Sequence, residues 1–169
     1  VLLNRIVRFK GFFRVGYYLP VVTSIVAVSV VWKYLYRDNG GVFNTMLSWV
    51  GIDGPAWLDS TTLALPSLIV MAAWRNFGTL MIIFLAGLRQ VPQDLYEAAS
   101  MDGAGAWRQF RKITLPMLAP VIFFNMVLQI IEGFKAFTPA YVVSGGTGGP
   151  VDSTLFYTLY LYIRGFGNF

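Results

Sequence analysis

The sequence predicts an all-α membrane protein, and three observations lead to that fold class. Hydrophobic residues make up 56% of the 169 positions and charged residues only 12%, about half the share of an average soluble domain. The apolar residues are gathered into stretches that are long enough to cross a bilayer as helices. These stretches lack the strict alternation of apolar and polar positions that a transmembrane β-strand needs.

Four apolar stretches are predicted to cross the membrane, within one transmembrane domain that covers residues 1–169. The first three reach the length of about 20 mostly apolar residues that a spanning helix needs, and the fourth is incomplete. Prolines stand in the first turns of these stretches, where a helix loses least from a missing N–H group. The predicted spans are residues 16–36, 62–88, 115–137 and 153–169.

The basic residues are concentrated in two of the connections, and this predicts the orientation. Cytoplasmic loops of membrane proteins carry an excess of Lys and Arg, which places residues 1–14 and 89–114 in the cytoplasm. The net charge of +5 is explained in this way, without a nucleic-acid partner. The outward connection 37–61 contains an amphipathic stretch, 42–52, that predicts a helix at the membrane surface.

The residues that are missing exclude several kinds of chemistry. The chain has no Cys and no His, which excludes thiolate or imidazole zinc sites and Cys–His or Ser–His nucleophiles. A membrane-embedded enzyme would need a convergent set of catalytic groups, and only scattered carboxylates remain. The glycine-rich stretch SGGTGGP lacks the Lys of a phosphate-binding loop. We expect no catalytic residue, no metal site and no cofactor bound by this chain.

The 89–114 connection predicts two short helices. Asp94 followed by Glu97 is typical of a capping box, which indicates a helix over 95–101. Gly103 is suited to the left-handed conformation that ends many helices. A second short helix is predicted over 106–112.

A helix of two turns is marginal by itself, so the 95–101 helix needs support from packing. Ala98 and Ala99 offer little bulk and allow close approach by another surface, while Glu97 and Asp102 carry charge. Two alternatives follow from these residues. The helix is a surface presented to a cytoplasmic protein, or it is a capped helix that lies on its own membrane domain.

The same connection resembles the signature of the permease subunits of binding-protein-dependent ABC importers. That signature is Glu-Ala-Ala, three residues, Gly, nine residues, Ile, one residue and Leu-Pro, and all seven positions match. The flanking AGLRQVP, DGAGAW and TLPMLAP, and the more distant GFFRVGYYLP and SGGTGGPVDSTLFYTLY, resemble the sugar-permease branch of that family. The matching positions are Glu97, Ala98, Ala99, Gly103, Ile113, Leu115 and Pro116.

The resemblance implies a helical bundle of the type I ABC importer permease kind. The chain is expected to be a fragment with three full spans, a partial last span and the tail of a preceding one. The implied function is to form the path of a sugar or related solute across a bacterial or archaeal plasma membrane. The implied partners are the lipid bilayer, cytoplasmic ABC ATPase subunits that hold ATP and Mg, a second and usually different permease subunit, and an extracytoplasmic solute-binding protein.

The resemblance also implies roles for individual residues. The surface that contacts the ATPase is expected to comprise Glu97, Ala98, Ala99 and Gly103, and the charge of Asp102 adds it to this set. The residues expected to anchor the connection to the following span are Ile113, Leu115 and Pro116.

Polar residues within the second and third spans predict a translocation path. A charge in mid-membrane costs about 2.5–3.5 kcal/mol on insertion scales, so it should face protein or water. Arg75 lies thirteen residues from Leu88 and Gln129 fourteen from Leu115, which gives them similar depths. We expect Arg75 to contact Gln129 or Glu132, and the alternative is a local pair of Glu132 with Lys135. The candidate path residues are Arg75, Asn76, Asn125, Gln129 and Glu132.

A competing function is a secondary transporter or channel in which the 89–114 connection is only structural. Its sign would be an inverted repeat or a relay of charges within the spans, and the sequence shows neither.

Overall fold

The computed structural model describes residues 10–167, and every regular element in this range is a helix, as the predicted fold class requires. The first nine positions of the predicted inner segment 1–14 lie outside the described residues. In chain order the α-helices are α1 (Lys10–Val22), α2 (Ile25–Leu35), α3 (Val42–Ser48), α4 (Ala64–Arg89), α5 (Gln93–Met101), α6 (Ala106–Gln109), α7 (Leu115–Met117), α8 (Ala119–Phe134), α9 (Thr138–Ser144) and α10 (Tyr157–Phe166), with a π-helical turn (Phe110–Thr114) between α6 and α7 and a 3₁₀ turn (Pro150–Asp152) before α10.

Helix α4 is the one described helix that is long and apolar enough to cross a membrane by itself. It has 26 residues and corresponds to the predicted span 62–88, with Pro66 in its first turn. Only 22% of its most apolar window is buried, so most of its surface is left for lipid or for neighbouring protein.

The predicted span 16–36 consists of two helices rather than one. Helices α1 and α2 meet at an angle of 112° across Thr23 and Ser24. Pro20, inside α1, has no N–H to donate, and the Thr23 hydroxyl donates to the Leu19 carbonyl at 2.9 Å. These two groups disturb the regular pattern of helical hydrogen bonds just before the break. That residues 16–36 cross a membrane stays a prediction.

The predicted span 115–137 is also bent. The helices on either side of Leu118 differ in direction by 62°. Pro120 lies at the start of α8 and cannot donate a hydrogen bond to the preceding turn, so the helical pattern is interrupted there.

The two connections predicted to face outward, 37–61 and 138–152, each contain a helix, and the sequence predicts only the first of these helices. The helix predicted within 42–52 is confirmed as α3. The connection 138–152, for which no helix is predicted, contains α9, and α9 ends at Gly145 with the left-handed φ of 66°. Helix α10 begins at Tyr157, inside the predicted span 153–169.

The core lies where α2, α4 and α9 meet. Trp32 is its centre, with ring centroids 5.4 Å from Tyr36 and 5.6 Å from Trp74. The Tyr36 hydroxyl donates to the Ser67 carbonyl at 3.2 Å and links α4 to the end of α2. Helix α3 packs on this core through Phe43. The buried core residues are Val28, Trp32, Tyr36, Leu68, Met71 and Val143.

Gly78 allows α1 and α4 to pack closely together. A Cβ atom at Gly78 would overlap the carbonyl oxygen of Tyr17 and lie 3.0 Å from the Cα of Tyr18. Small residues at such crossings let helix backbones approach each other in membranes.

We expect Gly78→Ala to lower the stability of the protein by about 1–3 kcal/mol, because the added methyl group forces α1 away from α4. The measurement is the midpoint of thermal unfolding in detergent. Gly16→Ala is the matched control, because Gly16 lies in α1 with no atom within 4 Å of an added Cβ. Equal midpoints for the two variants would contradict the close packing at Gly78.

Candidate functional site

The segment 89–114, which we call the Glu-Ala-Ala segment, begins with α5. This helix starts at Gln93 after Pro92 and has no side-chain cap. The predicted capping box with Asp94 as the cap is therefore wrong, because the helix begins two residues earlier than the predicted Leu95. Asp94 lies instead in the first turn, where its charge is favourable at the positive end of the helix dipole.

Helix α5 ends as the sequence predicts. Gly103 has a φ of 72°, which is the left-handed conformation expected for a helix stop. Its N–H donates to the Ser100 carbonyl at 3.1 Å, and the N–H of Ala104 donates to the Ala99 carbonyl at 2.9 Å. The turn after α5 is thus held by backbone hydrogen bonds and leaves the helix end open to its surroundings.

The residues predicted to contact an ATPase lie on an open surface of the described chain. Ala99 is half-buried and the other members, Glu97, Ala98, Asp102 and Gly103, are exposed. Two large apolar side chains that the sequence analysis did not include extend this surface. Met101 is 85% exposed and Trp107 73% exposed. The signal in the sequence that identifies them is a large apolar residue within a polar connection.

Side-chain hydrogen bonds tie the other face of α5 to the start of the following span. The hydroxyls of Tyr96 and Thr114 are 2.8 Å apart, and Thr114 is buried with 4% exposure. Gln109 donates to the Ser100 hydroxyl and to the Ala104 carbonyl, both at 2.9 Å. We call these contacts the α5 clamp.

The α5 clamp was not predicted from the sequence. The predicted anchors Ile113, Leu115 and Pro116 flank Thr114, and their anchoring role stays a prediction. The polar contacts that hold the segment come from Thr114 and Gln109, which the family signature leaves unspecified.

A second site is a cavity of about 300 Å³ between α4 and α8. Four of the predicted path residues line it together: Arg75, Asn76, Gln129 and Glu132. The Asn76 amide donates to the Gln129 side-chain oxygen at 3.3 Å, which joins the two helices. The sequence places the polar residues of the second and third spans at similar depths, and the structure shows that four of these residues line one cavity.

The contact predicted for Arg75 with Gln129 or Glu132 is wrong in the described structure. Asn76, one position further along α4, meets Gln129, and Glu132 pairs with Lys135 at 3.9 Å, as the alternative predicted. The Nε atom of Arg75 is buried and has no hydrogen-bond partner among the described residues.

The fifth predicted path residue lies apart from this cavity. Asn125 is buried, with 4% exposure, and its amide donates to the Val121 carbonyl one turn earlier at 2.8 Å. The Asn125 side chain therefore forms a hydrogen bond within its own helix and does not line the cavity. Among the described residues, no group of three or more acidic side chains is arranged to hold a metal ion.

A larger cavity of about 720 Å³ lies near the N-terminal end of α4. Charged side chains and the glycine-rich loop after α9 line it, and Lys33 donates to the Val142 carbonyl at 3.2 Å. The length of α4, about 39 Å at 1.5 Å per residue, separates this cavity from the Glu-Ala-Ala segment. The charged residues in its lining are Lys33, Arg37, Asp38 and Asp59.

The helical fold and the signature segment define a membrane transporter permease. Residues 5–166 match the family described as "Binding-protein-dependent transport system inner membrane component", and the chain belongs to this family.

Relatives agree with that assignment. The probable ABC transporter permease protein YesP of Bacillus subtilis (strain 168) is 47% identical over 171 residues, 100% of this chain and 55% of the relative. The lactose transport system permease protein LacF of Rhizobium radiobacter is 39% identical over 161 residues, 94% of this chain and 54% of the relative. The chain spans about half the length of these curated relatives.

A solved structure has the same fold. It is a bacterial alginate ABC transporter in complex with an alginate pentasaccharide-bound periplasmic protein. It matches this chain with a TM-score of 0.76 and 26% identity, and the match covers 99% of this chain and 58% of the other.

We expect Tyr96→Phe to loosen α5, because it leaves the buried Thr114 hydroxyl without its partner, at a cost of about 1–3 kcal/mol. Amide hydrogen exchange across α5 should become about fivefold faster or more. Tyr157→Phe is the matched control, because the Tyr157 side chain is 62% exposed. Unchanged exchange in α5 would show that the α5 clamp does not hold this helix.

Proposed function

We propose that this chain is part of the transmembrane subunit of an ATP-driven importer, and that it forms part of the path for a sugar or related solute. One observation carries the proposal. Glu97, Ala98 and Ala99 of the signature lie on a short helix with an exposed face, and its other face is bonded to the chain that leads into the next span. Such a helix is suited to receive a protein on one side and to pass its movement on through the other.

The α5 clamp supports a route from the Glu-Ala-Ala segment to the polar cavity. The segment joins the C-terminal end of α4 to α7 and α8, and the cavity lies between α4 and α8. A displacement of α5 acts on α7 through Tyr96 and Thr114. Packed helices respond to such displacements by shifting between discrete arrangements, which is a known basis of switching.

We infer that a separate ABC ATPase subunit occupies the exposed face of α5 and carries ATP and Mg. The exposed residues of α5 and of the turn after it then form the contact with the ATPase. Met101 and Trp107 add apolar area to this contact. Exposed aromatic and methionine side chains are frequent in protein interfaces. In this proposal the Glu-Ala-Ala segment lies in the cytoplasm, and its basic residues agree with that orientation.

The proposed assembly has two further partners, a second permease subunit and an extracytoplasmic solute-binding protein. The relatives support a saccharide substrate, since one is a lactose permease protein and one is from an alginate transporter. The alginate transporter is in complex with a periplasmic protein. The charged cavity near the N-terminal end of α4 lies on the outer side in this orientation, where such a protein docks.

We expect Glu97→Lys and Gly103→Pro in the full-length protein to reduce ATP-dependent solute uptake more than about tenfold. The first reverses a charge in the proposed ATPase contact, which costs several kcal/mol when the contact is desolvated. The second removes the N–H that bonds Ser100 and is incompatible with a φ of 72°. Uptake into vesicles and co-purification of the ATPase are the measurements.

Asp53→Lys is the matched control for charge reversal, because Asp53 is exposed in the connection between α3 and α4. It should leave ATPase co-purification unchanged. If uptake and co-purification survive both segment variants, the coupling proposal fails. Uptake that continues without ATP hydrolysis would favour the secondary transporter or channel.

A further inference from the structure

Arg75 lines the cavity between α4 and α8 and forms no ion pair within the described residues. Three charged side chains line this cavity, Arg75, Glu132 and Lys135. The Glu132 carboxylate is 3.9 Å from the Lys135 ammonium group, and both side chains are largely exposed. Within residues 10–167 no carboxylate forms an ion pair with Arg75, and its buried Nε has no acceptor.

The position of Arg75 in α4 makes the missing counter-charge costly. It lies eleven residues after Ala64 and fourteen before Arg89, about 16 Å and 21 Å from the two ends of the helix. Arg75 is half-buried and its Nε atom is covered. A charge at mid-membrane depth is retained where it faces a water-filled path or a partner of opposite charge. The local acid, Glu132, lies 3.9 Å from Lys135 and forms no ion pair with Arg75, so the guanidinium group is available to a ligand in the cavity.

The remainder of the cavity has the properties of a saccharide site. Its volume of about 300 Å³ is at the lower end of the range for small-molecule pockets. Phe137 and Phe156 contribute apolar wall. Asn76 and Gln129 share one hydrogen bond, and each amide keeps further donors and acceptors for hydroxyl groups.

We propose that Arg75 binds the carboxylate of an acidic saccharide, such as a uronate-containing oligosaccharide, as it passes along this path. The guanidinium group is a planar fork that donates two parallel hydrogen bonds to a carboxylate, which a neutral sugar does not accept in the same way. This inference rests on the proposed transport function and adds the class of substrate. Arg75 is then the residue that distinguishes acidic from neutral saccharides.

The test uses the full-length protein assembled with its second permease and ATPase subunits in nanodiscs, without the solute-binding protein. The probes are cellobiouronic acid and cellobiose, which differ by one carboxylate in place of a hydroxymethyl group. Titration calorimetry should show the acid binding about tenfold more tightly, the low end of what a hydrogen bond to a charged group contributes. Arg75→Gln should remove this preference, and Arg75→Lys should keep part of it because it keeps the charge.

Arg164→Gln is the matched control, since Arg164 is an exposed cation in α10 and lies outside this cavity. It should leave the preference unchanged. Equal affinity for the two probes in the unmodified complex, no binding of the acid, or a preference that persists in Arg75→Gln would overturn the inference. Release of the second permease subunit by Arg75→Gln would also overturn it, because Arg75 would then pair with that subunit.

The proposed function is tested separately. If the complex imports neutral saccharides at the expense of ATP and binds acids no better, transport stands and only the assignment of the substrate class fails. If Glu97→Lys leaves uptake intact, the coupling proposal fails whatever Arg75 binds.

Discussion

The hydrocarbon interior of a bilayer offers no hydrogen-bond partner, and this constraint accounts for much of the molecule. Backbone groups must be satisfied inside the chain, so the spans are helical. Where Pro20 and Pro120 remove a donor, the helix changes direction. Polar side chains meet the same demand. The Asn76 amide donates to Gln129 between α4 and α8, whereas the Nε of Arg75 has no partner among the described residues.

In the Glu-Ala-Ala segment, the short helix α5 has to be stabilised outside the apolar spans. Nine residues are too few for a stable isolated helix. Tyr96 and Gln109 supply the support by bonding α5 to the chain that follows, and Gly103 ends the helix cleanly. The structure agrees with both alternatives that the sequence left open, and contact with a cytoplasmic protein stays a prediction. One face lies on the membrane domain and the other is exposed.

The Glu-Ala-Ala segment is connected along the chain to both helices that line the polar cavity. Helices α4 and α8 line the polar cavity, and the Glu-Ala-Ala segment is the chain between them. In the proposed function, a force on α5 reaches the cavity walls through covalent connections and the α5 clamp. The larger charged cavity lies near the other end of α4.

The sequence by itself determined the helical class, the long helix α4, the exposed signature residues and the left-handed turn at Gly103. These depend on composition, on apolar length and on the conformational freedom of single residues, which are local properties. Only the tertiary structure decided the bends at Ser24 and Leu118, the contact of Asn76 rather than Arg75 with Gln129, and the bond to Thr114. These depend on how far each helix is rotated and shifted against its neighbour, and packing between distant parts of the chain sets that rotation.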